Sequence, residues 1–298
     1  FKQKTAYEIK ECDWSSDVCS SDLLKNAIVP PEGYVIGNSD SSQIEARMTV
    51  WLAGQDDVVK QFADGEDVYS LFATDVYERP VSKADPVERF VGKTCILGLG
   101  YGTGGPKLRH TLATSQPVSV QIDEDEAKRI VGVYREKNHK VVELWGEADQ
   151  MLESMMSEKI DKPLSFGLHG CVTYDSEGVI LPNGLRIRYP NLRREWEDGK
   201  SRIVYDSRKG PVSIWGGSVV ENVVQALARI VVAEQMLKID EHYPVVLTVH
   251  DAAVVVVPAD EQEKAGNLIT GLMSQAPAWA VGLPVACECK FGGSYGDC

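Results

Sequence analysis

The residues able to do chemistry fall into four small groups. Asp40 closes a short apolar run, GYVIGNSD, and is followed at once by Ser41, Ser42, Gln43, Ile44 and Glu45. A carboxylate at the end of a strand and ahead of a helix suits a hard divalent cation that keeps several of its waters. The plainer reading is an acid flanking a helix, and Ser42-x-x-Glu45 also fits a capping box, which would leave Glu45 only a backbone donor to satisfy. The second group is His250-Asp251, set between two valine-rich runs. An ionised aspartate there is costly unless paired or metal-bound; otherwise it is a solvent-facing turn residue. The third is Arg89-x3-Lys93-x3-Leu97-x3-Tyr101-Gly102. Four-residue spacing lines these side chains along one helix face. Two cations followed by a ring would fit a triphosphate and then a base, whereas the alternative is an amphipathic helix with a solvated basic edge. Gly98 and Gly100 weaken that alternative, since glycine disfavours a helix by about 1 kcal/mol unless something needs it. The fourth is Glu221 and Gln225, four apart on a long helix and opposite a stripe of Val220, Val223, Val224, Leu227 and Val231. Acid and amide side chains beside a groove could read a nucleic-acid minor groove, or simply be exposed.

The elements that must hold these groups are legible in outline. Residues 33–40 read as a strand, and Ser42 opens a helix that Gly54 stops. Helices follow over 67–77, from Pro86 toward Tyr101, from Asp123 with Glu126 as capping partner, and around Trp145. Residues 178–189 are a strand, an Asn-Gly turn and a strand. A long helix covers about 218–238, and β-rich runs cover 245–249 and 253–257. Strands at both ends with a helical insertion between them give an α+β fold. The first 23 residues have no helical or strand period and no secretory signal; they resemble a translated sequencing adaptor and are set aside.

Composition bounds the function. The formal net charge of −13 over 298 residues argues against a general nucleic-acid sponge, but phosphate contact needs only local cations. Basic residues do cluster, as Lys83, Arg89, Lys93, Lys107 and Arg109, and as Arg186, Arg188, Arg193, Arg194, Lys200, Arg202, Arg208 and Lys209. These groups are also what two solvated faces would look like. Seven cysteines without metal spacing read as reduced thiols in a cytosolic protein, and no apolar run is long enough to suggest a membrane span.

The order and spacing of the groups resemble family A DNA polymerases, the family of bacterial DNA polymerase I and many phage replicative enzymes. Asp-x-Ser-Gln-Ile-Glu-x-Arg, Arg-x3-Lys-x7-Tyr-Gly and a late His-Asp carry the likeness, supported by GEDVYSLFATDVY, LPNGLRIRYP and GGSVVENVVQALAR. The style is closest to phage or prophage members. The resemblance implies a right-hand fragment: antiparallel palm sheet from 24–66 and 171–298, helical fingers from 67–170, thumb missing. It implies a DNA-directed DNA polymerase working by a two-metal mechanism on primer-template DNA and deoxynucleoside triphosphates, with Mg2+ replaceable by Mn2+. Asp40 and Asp251 would be the catalytic, metal-binding carboxylates, with the Ser41 carbonyl completing their shell. Glu45 would be the gate against a ribose 2'-hydroxyl. Arg89 and Lys93 would grip the triphosphate, with Leu97 and Tyr101 beside the sugar and nascent pair. Gln225 and His250 would contact DNA. The expected setting is the cytoplasm of a bacterial or phage-infected cell, and little activity is expected from a fragment without a thumb. No residue pattern identifies a processivity partner.

Three positions depart from the family pattern. Ala252 stands where most relatives carry Glu, Leu97 where many have Phe or Tyr, and Glu221 where bacterial enzymes have Asn. A rival reading takes Gly100-x-Gly102-x-x-Gly105 as a dinucleotide fingerprint with TCILGLG as its strand, although Gly104-Gly105-Pro106 is a poor helix start.

Overall fold

The computed structural model describes residues 24–116, 118–157, 160–197 and 199–298, so the adaptor-like stretch 1–23 lies outside the described residues. In chain order the elements are β1 (Tyr34–Ser41), α1 (Ile44–Ala53), α2 (Asp56–Ala63), α3 (Val68–Tyr77), α4 (Pro86–Leu99), α5 (Gly105–Thr114), α6 (Glu124–Lys137) and α7 (His139–Ser157). There follow β2 (Leu164–Phe166), β3 (Val172–Asp175), β4 (Gly178–Ile180), β5 (Arg186–Ile187), β6 (Arg193–Glu197), β7 (Lys200–Ser207) and β8 (Gly210–Ile214). The chain closes with α8 (Gly216–Asp240), β9 (Val245–Val249), β10 (Ala252–Pro258), α9 (Gln262–Met273) and β11 (Cys287–Gly292). The α+β class expected from the sequence is the class observed.

The chain forms two compact units. The first comprises residues 24–42, Val232–Gln275 and Ala286–Cys298. It is built on an antiparallel sheet in the order β11-β1-β10-β9. Period-2 alternation decides its faces. Ala253, Val255 and Val257 point to one side, where they form a core with Ile239, Ala265, Ile269 and Met273. The other side carries Ile36, Val254 and Tyr295. Asp40 is on this second side, because it lies in register with Ala252, two residues before Val254. The β-branched run in β10 explains why this strand is the buried centre of the sheet.

The second unit comprises Gln43–Val231 and Ala276–Val285. Its core joins α1 to α7, the start of α8 and the two smaller antiparallel sheets, β2-β3-β4-β5 and β6-β7-β8. The expected cuts at 66/67 and 170/171 do not coincide with these units, because α1 and the small sheets share one core with the helices. Val220, Val223, Val224, Leu227 and Val231 are fully buried on α8, as their spacing requires. α8 is also long and apolar enough by composition to cross a membrane, but 61% of its apolar window is buried inside the protein.

Several local expectations are corrected. α1 starts at Ile44, not Ser42, and its N-cap is Gln43, left-handed at φ 56° with no side-chain capping bond. TCILGLG is the end of helix α4, so the strand of a dinucleotide fingerprint is absent, even though Gly105-Pro106 does open a helix. The glycines that matter sterically are also different from those expected. A Cβ on Gly100 would meet only ordinary contacts, whereas one on Gly92 would lie 2.1 Å from the Tyr69 carbonyl oxygen. Gly102 has φ +75° and packs against Trp215. Asp123 caps α6 as expected, accepting from the Glu126 N–H at 2.8 Å.

Candidate functional site

In the first unit, β1 and the β9–β10 hairpin bring Asp40 and Asp251 together. The hairpin link is only His250 and Asp251, since Val249 pairs with Ala252. His250 takes a left-handed φ of 53°, a conformation uncommon outside glycine and characteristic of strained functional turns. The turn is tied to β1 by the Ser41 N–H, which donates to the Asp251 carbonyl at 3.2 Å. The Asp40 and Asp251 carboxyls lie close enough to influence each other. Asp40 stands open to solvent, yet its carboxyl is held above the usual carboxylate range. Partial burial is the largest cause; the nearness of Asp251 and of His250 opposes it, and the charge of Glu288 reinforces it. Glu288 and Tyr295 were not anticipated. Glu288 sits between the two cysteines of the C-x-C pair, directly opposite Asp40 on β11, and Tyr295 feels the Asp40 charge.

The acids fit a magnesium-like ion of a particular kind. Mg2+ dehydrates reluctantly and is usually held by one or two carboxylates plus substrate phosphates. Two facing carboxyls at a solvent-open sheet end supply that hard oxygen set. Among the described residues no group of three or more His, Cys, Asp or Glu could enclose an ion, so a closed protein cage is not what these residues fit.

In the second unit, the α4 series lies as its spacing predicts. Val91, Cys95 and Leu99 are buried, while Lys93 and Leu97 are exposed on the opposite face. Arg89 is already engaged: its Nε donates to Asp67 at 2.6 Å, a second nitrogen reaches the other carboxylate oxygen at 3.2 Å, and its guanidinium lies over the Tyr69 ring. Burial pushes the Asp67 carboxyl up, but the bonds from Arg89 and Ser70 outweigh it and leave it below the usual range. Tyr101 donates its hydroxyl to the Glu45 carboxylate at 3.1 Å, so two residues 56 positions apart share one spot. Burial, with Glu45 and Glu221 nearby, pushes the Tyr101 phenol well up. Glu221 is itself raised by burial, offset by Lys107. Gln225 is half-buried one turn along α8.

Arg47, the last residue of the Asp40 motif, is structural. It is buried, donates to the carbonyls of Phe62 and Pro284, and stacks on the Phe62 ring. Much of the second basic cluster is likewise tied up within the protein. Arg186 pairs with Asp175, Arg193 with Asp206 and Glu195, Arg194 with Glu153, and Arg202 with Glu195.

Comparison with known proteins points one way. Residues 18–160 match the profile of DNA polymerase family A. The DNA polymerase of Bacillus phage SP02 is 30% identical over 282 residues, covering 90% of this chain and 42% of that protein. DNA polymerase I of Caldicellulosiruptor bescii is 23% identical, covering 91% of this chain and 28% of its own length. Among solved structures, the polymerase domain of Pol1 from M. smegmatis, in complex with DNA primer-template and dNTP, is similar over 93% of this chain and 42% of that one. Its TM-score is 0.68 at 21% identity. The chain thus spans less than half the length of these relatives.

Proposed function

This chain belongs to DNA polymerase family A, and we propose that it carries the catalytic residues of a DNA-directed DNA polymerase of phage type, adding deoxynucleotides to a primer 3'-hydroxyl. The observation that carries the reading is the meeting of Asp40, at the end of β1, with Asp251, in the β9–β10 turn, where the Ser41 N–H donates to the Asp251 carbonyl. Divalent ions, Mg2+ or Mn2+, would be held by these two carboxylates and the Ser41 main chain; when bound they acidify the primer hydroxyl and neutralise the triphosphate and leaving pyrophosphate. His250, at the same turn, would contact the primer end. Arg89 and Lys93 bind and orient the triphosphate, which is positioning and electrostatics rather than covalent catalysis. Glu45, held by Tyr101, excludes a 2'-hydroxyl, while Leu97 lies along the same helix face and Gln225 reads the duplex minor groove. The partners are primer-template DNA and deoxynucleoside triphosphates, and the setting is the cytoplasm of a bacterial or phage-infected cell. The chain accounts for 42% of the phage relative's length.

Primer extension tests this. Asp40→Asn or Asp251→Asn should lower the single-turnover rate by at least about a hundred- to thousandfold, as losing one such electrostatic group does, with DNA affinity kept. Unchanged extension in both variants would overturn the assignment.

A further inference from the structure

Asp40 has two cross-strand neighbours. On β10 it faces Ala252, and on β11 it faces Glu288. Residues directly opposite in an antiparallel pair carry their side chains on one face, with Cβ atoms about 4.5–5.5 Å apart. Asp40 is therefore flanked by a methyl group on one side and a carboxylate on the other, and the Glu288 charge is felt at Asp40. Like charges directly opposite destabilise a sheet. Among the described residues no ion pair engages Glu288, although Lys290 stands two residues along on the same face. Asp251 adds an acid at the adjoining hairpin turn, where its carbonyl accepts from the Ser41 N–H at 3.2 Å. A hydrated divalent cation would offset the like charge of Asp40 and Glu288.

Resting on the polymerase reading above, we propose that Glu288 is a positioning residue of the metal site, supplying from β11 the acidic charge that Ala252 does not supply from β10. It does not enclose the ion, since no three acids among the described residues do so. It acts through its field and through the water shell that a hydrated cation retains. Nothing in the strand geometry otherwise calls for an acid here; the alternating neighbours Cys287 and Cys289 face the core side while Glu288 faces Asp40.

Mn2+ binding to the 298-residue chain, read by electron paramagnetic resonance of the free ion, tests the proposal without requiring activity. Glu288→Gln should weaken Mn2+ binding roughly five- to tenfold, the order expected for removing one nearby charge from a divalent ion's aqueous surroundings. Glu288→Asp should retain most of the affinity, and adding Ala252→Glu to Glu288→Gln should restore it. Thermal melting gives a second reading: Glu288→Gln should raise the metal-free Tm and shrink the rise that Mn2+ produces. Asp40→Asn and Asp251→Asn should abolish binding. If those two abolish it while Glu288→Gln leaves affinity and the Mn2+-induced rise unchanged, the role of Glu288 is overturned and the polymerase site stands. If neither aspartate variant affects binding, the metal site itself is wrong.

Discussion

At the scale of single residues, the Tyr101–Glu45 hydrogen bond separates two roles that the sequence left open. The residue at the N-cap of α1 is Gln43, and the Glu45 carboxylate accepts from the Tyr101 hydroxyl. Glu45→Ala should therefore cost only what one hydrogen bond is worth, about 1 kcal/mol, in urea unfolding. It should at the same time raise ribonucleotide incorporation relative to deoxynucleotide. Tyr101→Phe removes the donor and should move selectivity the same way by a smaller amount. Unchanged sugar selectivity in both variants would show that the contact is only structural. The individual motif residues stood out in the sequence because the chemistry proposed for them restricts their type: carboxylates for cations, guanidinium and ammonium for phosphate. Glu288 was not, because its importance comes from facing Asp40 across a strand pair whose members are separated by most of the chain. No local pattern reports such a partner. The left-handed Gln43 was equally hidden, since Ser42 and Glu45 together satisfy every local rule for a cap.

At the scale of elements, α3 and α4 are fastened twice. Gly92 lets the helices approach until a Cβ there would overlap the Tyr69 carbonyl, and Arg89 reaches over to Asp67. Gly92→Ala should destabilise by about 1–3 kcal/mol through overpacking, seen as a lower thermal midpoint; a neutral change would mean that the pair can slide apart freely. Asp67→Asn should cost about 1.5–3 kcal/mol at neutral pH, the range for hydrogen bonds to charged groups. The pH dependence has a definite sign. The Asp67 carboxyl is depressed in the folded state, so its stabilisation is present above the unfolded value near 3.9 and disappears as pH falls through the lower folded value. Wild type and Asp67→Asn should thus converge in stability on acidification below about pH 4. Divergence there would place the stabilisation elsewhere. The same ion pair means that Arg89 must share its guanidinium between Asp67 and any triphosphate, and Asp67→Asn should alter the triphosphate KM more than primer-template affinity. The long helices and the β9–β10 hairpin were legible from periodicity and β-branched runs. The sheet β6-β7-β8 was not: its residues registered only as a basic cluster, because alternating Arg and Glu along paired strands hides the strand period under charge.

At the scale of the whole molecule, charge decides how it meets DNA. The net charge is −13, and the arginines of β5, β6 and β7 are largely paired internally, so those side chains are already engaged. The salt dependence of primer-template binding should be shallow, with a log–log slope smaller in magnitude than about 4 where a heavily basic binder reaches about 10. Fluorescence anisotropy across a KCl series measures it, and a steep slope would show that the paired arginines swing out to the backbone. The division of the chain carries a further consequence, one of timing. β1 finds its partners only in β10 and β11, more than two hundred residues later, while the second unit is nearly continuous from Gln43 to Val231. At synthesis rates of about 5–20 residues per second, β1 emerges from the ribosome roughly 10–40 s before the strands that sandwich it exist. Almost all of the helical unit has left the ribosome by then, and the sheet that carries the acids closes last. A nascent chain stopped anywhere before β10 therefore holds most of the helical unit and a waiting strand, and Asp40 gains its cross-strand neighbours only once β10 and β11 have been made.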